Sequence, residues 1–246
     1  MAEPPEIALP SGHLSLGVVR VAETVRRPAK ASSVFVAQLL GLLERRGLAW
    51  APRYFGQDAA GRDVLSFVPG WVPAKWRTFS DEQVSAAARL LRELHDATRG
   101  SELAGTREVV CHNDPGPSNA VFDDADLPYS FIDFDMAAPG SVLEDVGYLA
   151  WSWCVASKPE RRSASFQAAQ VRHLADSYGL DSAARVGLCD ALLERQRRNT
   201  RFWSEQLALG QAIPSTPEKI RELIAWSERE FSFTSANRAH FEAALR

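Results

Sequence analysis

Three polar residues with fixed spacing, His112, Asp114 and Asn119, lie in one short stretch of the chain, and Asp133 and Asp135 follow it closely. Transfer of a phosphoryl group from a nucleotide requires few protein groups. It needs a carboxylate to accept the proton of the attacking hydroxyl, and oxygen ligands to hold Mg²⁺. The pattern H-x-D-x-x-x-x-N followed by D-x-D contains both kinds of group, and it therefore predicts phosphoryl-transfer chemistry.

Each of these residues also has an ordinary structural explanation. Asp114 could cap the turn that follows it, because Asp is common at turns, and Asn119 could be a helix N-cap. His112 could act as a general base or support the loop, and we favour support. For Asp114 and Asn119 the complete motif favours a catalytic base and a metal ligand. Asp135 is left open between a metal or substrate contact and a turn cap.

Short apolar segments flank this loop and predict β-strands at residues 109–111 and 131–134, the second of which carries Asp133. Helices are expected around them. The residues Ser80-Asp81-Glu82-Gln83 form a capping-box signature for a helix that ends near residue 98. His95 lies on the apolar face of this helix and is predicted to be a core histidine. Further helices are predicted at residues 162–178, 182–209 and 217–231.

The first 70 residues have a different character. Two β-branched runs at residues 18–21 and 24–27 predict a hairpin, and a helix is expected from residue 33 to 46. Two more strands are predicted at residues 54–56 and 64–68. We therefore expect an α+β fold with a small β-rich lobe, residues 1–70, and a larger helical lobe, residues 71–246, joined near residues 69–73.

The segment 110–151 resembles the catalytic core of the aminoglycoside phosphotransferase and choline kinase-like families, which are distant relatives of the protein kinases. Residues 90–95 resemble the helix before the catalytic loop, and residues 64–70 resemble the hinge strand whose backbone holds adenine. The resemblance implies a two-lobed protein-kinase-like fold that uses ATP (or GTP) and Mg²⁺. The acceptor would be a hydroxyl of a small molecule, such as an aminoglycoside-like antibiotic or a hydroxylated metabolite.

The same resemblance assigns roles to individual residues. Asp114 would be the catalytic base, and Asn119 and Asp133 would bind Mg²⁺. Asp145 would be structural, bonding back to the catalytic loop. Ser66 and Val68 on the hinge strand would bind the nucleotide.

The small lobe departs from the family pattern. These kinases usually carry a lysine on the third strand, paired with a glutamate on the next helix, whereas this chain has Arg26 and Arg27 there. Because neighbouring strand residues face opposite sides, only one of them can face the nucleotide, and we favour Arg26. Residues 36–38 (Val-Ala-Gln) stand where the glutamate is expected, and the phosphate-covering loop is reduced to residues 11–17.

Composition limits the other function classes. The formal charge of −3 comes without long basic runs, which gives no case for nucleic acid, and the run Arg-Gln-Arg-Arg at residues 195–198 is expected to be a solvated helix face. No apolar run reaches the roughly 18 residues of a membrane span. Three widely spaced cysteines favour a reducing compartment, so we expect a cytoplasmic protein. Separately, we expect a monomer or homodimer.

Two rival functions are open to such a chain. One is a non-catalytic or weakly catalytic kinase-like protein that binds a small molecule or toxin as an immunity protein, which the degenerate small lobe suggests. The other is a kinase that acts on proteins. It is disfavoured because no recognisable activation segment separates Asp133 from residues 144–145.

Overall fold

A five-stranded antiparallel sheet carries the first part of the chain. The computed structural model describes residues 4–9, 17–73, 77–158, 160–210 and 215–246. The sheet has the order β1-β2-β3-β5-β4. Its strands are β1 Glu6–Ala8, β2 Val19–Val21, β3 Thr24–Pro28, β4 Tyr54–Gln57 and β5 Arg62–Ser66. Most of the expected phosphate-covering loop, residues 11–16, lies outside the described residues.

The hairpin β2–β3 and the helix α1, Ser33–Arg45, confirm the predicted pattern of the small lobe. The hairpin turns at Ala22 and Glu23, where Ala22 has a left-handed φ of 51°. The buried residues of α1 include the four apolar ones whose spacing predicted the helix: Val36, Leu39, Leu40 and Leu43. This apolar face packs the helix against the rest of the protein.

Helices dominate the large lobe: α2 Asp81–Thr98, α3 Val142–Cys154, α4 Ala164–Tyr178, α5 Ser182–Leu209, α6 Pro217–Ala236 and α7 Arg238–Leu245. The capping box of α2 and both bounds of α5 are as predicted. Helix α6 runs past the predicted end, whereas α3 and α7 were not predicted. None of the helices in the described ranges is long and apolar enough to cross a membrane.

Two short two-stranded sheets hold the loops of the large lobe: β6 Val109–Cys111 with β9 Ala138–Gly140, and β7 Ala120–Phe122 with β8 Pro128–Phe131. The strand predicted at residues 131–134 ends earlier than expected, at Phe131. The reason lies in the backbone: Asp133 has a left-handed φ of 62° and caps a 3₁₀ turn, Phe134–Met136. Asp133 therefore follows a strand and is not part of it.

Gly70 joins the two lobes by a close backbone approach. Its φ is 123°, and a Cβ atom placed on it would lie 2.3 Å from the carbonyl oxygen of Phe122. The next residue, Trp71, is tied to Phe122 by two backbone hydrogen bonds of 3.1 and 2.8 Å. Only glycine fits this position, because it combines a left-handed conformation with no side chain. The small β-rich lobe and the helical lobe together give the α+β two-lobed architecture expected from the sequence.

Candidate functional site

The loop that carries the H-x-D-x-x-x-x-N pattern is held by a buried carboxylate. Asp145, on α3, accepts hydrogen bonds from the amides of His112 (2.6 Å) and Asn113 (2.8 Å). It also bonds to His95 Nε2 at 3.0 Å, and both side chains are fully buried. Burial raises the pKa of Asp145, but the bonds from His95 and from the backbone outweigh it, so the net pKa is below the ordinary value. The expected bond from Asp145 back to the loop is confirmed, as is the core position of His95.

His112 is buried behind the loop. Its Nε2 lies 3.1 Å from the carbonyl oxygen of Ile132, and its Nδ1 accepts from the amide of Asp114 at 3.3 Å. Its ring also packs against Phe131 and Phe134. Since both ring nitrogens are bonded to the backbone, these contacts favour loop support over general-base chemistry for His112.

Asp114 is partly buried, and each of its carboxylate oxygens has one donor. Tyr148 donates its hydroxyl to Oδ1 at 2.5 Å, and Asn119 donates its Nδ2 to Oδ2 at 2.8 Å. Burial raises the pKa of Asp114, and the nearby charge of Asp133 adds to the rise. Burial and the charge of Asp114 raise the pKa of Tyr148 well above its usual value, so the phenol keeps its proton and donates it.

Sequence reasoning missed Tyr148 and misplaced Arg195. The expectation that residues 195–198 form a solvated face is wrong for Arg195, which is only 8% exposed. Its Nη2 donates to the carbonyl oxygen of Asn113 at 2.7 Å, and its guanidinium lies 4.8 Å from the centre of the Tyr148 ring. One available signal was the position of Tyr148, three residues after Asp145 on the same helix face.

Two cations from the small lobe reach the Asp-x-Asp segment. Arg27 contacts Asp135 through Nη1 and lies 3.8 Å from Asp133, while Lys30 Nζ lies 2.5 Å from Asp135. The side chain of Asp133 is 42% exposed and that of Asp135 only 11%. The backbone brings this segment close to the loop, because the amide of Ile132 donates to the carbonyl oxygen of Asn119 at 2.8 Å.

The two arginines of β3, Arg26 and Arg27, contact different carboxylates in the structure. Arg26, the residue preferred from the sequence, forms an ion pair of 3.2 Å with Asp58. Arg27 is the arginine that faces the candidate site. The two side chains do point to opposite faces of the strand, as expected, but it is the second arginine that points to the Asp-x-Asp segment. Arg27 also lies opposite Asp63 on β5, with Nε 3.6 Å from its carboxylate.

Ser66 and Val68, the two hinge residues expected to bind the nucleotide, have different surroundings. Ser66 ends β5, and its amide donates to the carbonyl oxygen of Arg53 at 2.9 Å, while its hydroxyl accepts from the Arg53 amide. Its backbone donor is therefore used within the small lobe. Val68 lies beyond the strand, half-buried, in the segment that leads to Gly70.

The side chains here are of the chemical types that hold a metal ion and a phosphate. The carboxylates of Asp133 and Asp135 and the amide oxygen of Asn119 are the hard oxygen ligands that Mg²⁺ prefers. Arg27 has two buried donors, Nε and Nη2, that form no hydrogen bond with the part of the chain that the structure describes. Buried donors of this kind are costly unless an acceptor reaches them, and a phosphate oxygen is a suitable acceptor.

A small sheet-bearing lobe over a helical lobe, with an Asp–Asn loop beside an Asp-x-Asp segment, is the arrangement of protein-kinase-like folds. Residues 97–183 match the model of a protein family, the phosphotransferase enzyme family (APH). A curated relative, the trifolitoxin immunity protein of Rhizobium leguminosarum bv. trifolii, is 31% identical over 270 aligned residues and covers 98% of both chains. Residues 97–183 therefore match a phosphotransferase family, and over its whole length the chain belongs to the same family as the trifolitoxin immunity protein.

Solved structures agree on the fold. A choline/ethanolamine kinase family protein from Mesorhizobium loti superposes with a TM-score of 0.62 at 16% identity, covering 98% of this chain and 92% of its own. An aminoglycoside phosphotransferase from Alicyclobacillus acidocaldarius gives 0.60 at 14% identity, covering 99% and 94%. A Plasmodium vivax ethanolamine kinase gives 0.65 at 13%, covering 96% and 83%. At these identities the similarity establishes the protein-kinase-like fold.

Proposed function

We propose that this protein transfers a phosphoryl group from ATP (or GTP) to a hydroxyl of a small molecule, either an aminoglycoside-like antibiotic or a hydroxylated metabolite. One observation carries the proposal: the Asp114 carboxylate is held by Asn119 and Tyr148 beside the charge of Asp133. A fixed carboxylate next to a set of oxygen ligands is what phosphoryl transfer to an alcohol requires.

Each residue then has a task. Asp114 orients the acceptor hydroxyl and takes its proton as the oxygen attacks the terminal phosphorus. The bond from that phosphorus to the bridging oxygen of the β-phosphate breaks, and ADP (or GDP) leaves. Asn119 and Asp133 would hold Mg²⁺, with Asp135 as a further candidate ligand, and the ion would supply neutralisation of the phosphate charge. His112 and Asp145 fix the loop backbone so that Asp114 and Asn119 need no rearrangement.

We further propose that Arg27, and not Arg26, is the small-lobe cation that grips the phosphates. Among the described residues, Nε and Nη2 of Arg27 are buried without a hydrogen bond, whereas on Arg26 only Nε is. This difference and the position of Arg27 beside Asp133 support the role. The guanidinium is a rigid fork that can bind two phosphate oxygens at once. Asp63, opposite Arg27 on β5, takes the orienting place left by the missing helix glutamate. The backbone near Val68 would receive the adenine or guanine ring.

Replacement of Asp114 by asparagine tests the proposal. Purified protein with ATP or GTP and Mg²⁺ is screened against aminoglycosides and hydroxylated metabolites, and product formation is followed by mass spectrometry. Loss of a general base lowers rates by roughly 10²–10⁴-fold, so Asp114→Asn should be nearly inactive but should bind nucleotide normally. Asp124→Asn, an exposed change on the β7–β8 turn, is the matched control. Near-normal transfer by Asp114→Asn would contradict the assigned role.

A second candidate function is supported by two observations. The relative that is 31% identical is an immunity protein by name, and Arg27 and Lys30 both contact Asp135, one of the candidate metal ligands. In this alternative the fold binds a toxin without phosphorylating it. Toxin-sensitive cells that express the chain distinguish the two functions. Protection that survives Asp114→Asn indicates binding alone, whereas protection that disappears indicates phosphorylation.

The three cysteines, all free and buried, support a reducing cytoplasm as the compartment.

A further inference from the structure

Helix α3 contacts the catalytic loop at two points, one turn apart. Asp145 binds the loop backbone through the amides of His112 and Asn113. Tyr148, three residues later, binds the Asp114 side chain. Residues three apart lie on the same helix face, so one helix can fix both the backbone and the side chain of the candidate base.

The ring of Tyr148 is itself confined. The Arg195 guanidinium lies 4.8 Å from the ring centre, a cation–π contact, and the Trp151 ring meets it edge-on at 5.7 Å. A side chain on Gly116 would come 3.7 Å from the ring edge, so the loop backbone also passes close to it. Arg195 is anchored in turn by its bond to the Asn113 carbonyl oxygen. These contacts leave the phenol hydroxyl little freedom of direction.

A carboxylate can accept about four hydrogen bonds, and rotation about its last side-chain torsion is soft. On Asp114 one donor meets each oxygen, Tyr148 on Oδ1 and Asn119 on Oδ2. Two donors on different oxygens set the plane of the carboxylate and leave lone pairs for an acceptor hydroxyl. With only the Asn119 bond, the carboxylate can turn about its own axis.

We infer that Tyr148 is a positioning residue that holds the Asp114 carboxylate in the orientation that receives the acceptor hydroxyl, with Arg195 fixing the Tyr148 ring. This inference rests on the proposed function and adds a residue to it. Misorientation of a reacting group can cost up to about 10²-fold in rate. Tyr148→Phe should therefore lower kcat by roughly 10- to 100-fold and leave the KM for nucleotide unchanged.

A double-mutant comparison separates positioning from general structural damage. If Tyr148 acts through the Asp114 carboxylate, Tyr148→Phe should cause no further loss in residual rate when Asp114 is already asparagine. The matched control is Tyr178→Phe, which also deletes a buried phenol hydroxyl, bonded to His95 at 2.7 Å. Its fold-change should be the same in both backgrounds. Equal losses from Tyr148→Phe in both backgrounds would overturn the inference.

Crystal structures of the wild type and Tyr148→Phe provide a readout that needs no activity. The inference expects the Asp114 carboxylate to rotate in the variant while the loop backbone, held by Asp145, stays in place. An unchanged carboxylate contradicts it. If the wild type transfers no phosphoryl group to any acceptor, the proposed function fails. The crystal comparison then still decides whether Tyr148 holds the orientation of the Asp114 carboxylate.

Discussion

Arg26 and Arg27 are neighbours in sequence, yet their side chains have different partners. Arg26 pairs with Asp58, whereas Arg27 reaches towards Asp63, Asp133 and Asp135. The difference follows from strand geometry, in which successive side chains point to opposite faces. Register is therefore the property that decides which arginine can meet a nucleotide.

We expect Arg27→Ala to weaken nucleotide binding by roughly 10- to 100-fold, because charge-assisted hydrogen bonds contribute about 1.5–3 kcal/mol. Arg26→Ala should change nucleotide affinity by less than about 3-fold, since it breaks a half-buried pair with Asp58 that does not include the Asp-x-Asp segment. Arg27→Lys should rescue poorly, because an ammonium cannot bind two phosphate oxygens as a fork. Calorimetry with ATP and Mg²⁺ measures all three. A larger effect of Arg26→Ala would return the role to Arg26.

At this scale the sequence predicts best what is local. His112, Asp114 and Asn119 lie within eight positions, so their spacing alone indicates their proximity. Tyr148, Arg195 and Asp63 join the site through long-range packing that spacing cannot show. Arg195 was misplaced because an arginine on a long helix is usually solvated. Here the buried side of α5 carries Leu188, Leu192, Arg195 and Gln196, a helical spacing that contained the signal.

At the scale of elements, the contact between α3 and α5 brings Tyr148 and Arg195 together. The helices approach closely at Gly147, where an added Cβ would lie 2.8 Å from the backbone carbon of Ala191. Backbone at that distance cannot move aside as a flexible side chain can. Gly147 thus fixes how closely α5 lies against the helix that holds the catalytic loop.

Gly147→Ala should force the two helices apart, and overpacking of this kind costs typically 1–3 kcal/mol of unfolding free energy. Gly41→Ala in α1 is a matched control, because its added Cβ would meet only the mobile end of the Arg45 side chain, at 3.3 Å. This control should be neutral or stabilising by up to about 1 kcal/mol, since alanine is the better helix former. Thermal unfolding followed by circular dichroism compares the pair. A Gly147→Ala protein as stable as Gly41→Ala would contradict the close-packing argument.

Helix α3 escaped prediction for a physical reason. Every residue from 145 to 154 is buried except Tyr148, so the segment is apolar on nearly all sides and lacks the 3.6-residue periodicity of a surface helix. Its start was readable in principle, because Ser141 and Glu144 form a capping box. Helix α2, which has one buried and one solvated face, was predicted from the same kind of cap together with its periodicity.

At the scale of the whole molecule, the change from a β-rich to a helical pattern near residue 70 was sufficient to predict the two-lobed fold. The β2–β3 hairpin was readable, but pairing between strands distant in the sequence was not: β3 pairs with β5, and β6 pairs with β9 across the catalytic loop. Those neighbours are set by the shared core that the elements build together, which no local pattern contains.

The three cysteines should report the integrity of the whole fold. Burial raises the pKa of Cys189 to about 11 and raises the pKa of Cys111 and Cys154 further. The thiolate is the reactive form, so at pH 8 the native protein should react with iodoacetamide far more slowly than the protein unfolded in urea. Mass spectrometry counts the alkylated thiols over time. Rapid reaction of all three in the native protein would show that the core opens readily.

The backbone pinning at Gly70 has a mechanical consequence. The two bonds between Trp71 and Phe122 clamp the chain to the large lobe immediately after the glycine, and Tyr129 also donates to the carbonyl oxygen of Pro69. Any rotation of the small lobe relative to the large lobe must therefore use this clamp as its hinge, and residues 67–70 must absorb the change in backbone torsion. The ion pairs of Arg27 and Lys30 with Asp135 are a second connection between the lobes, so a rotation of the small lobe about the Gly70 clamp must stretch or break them.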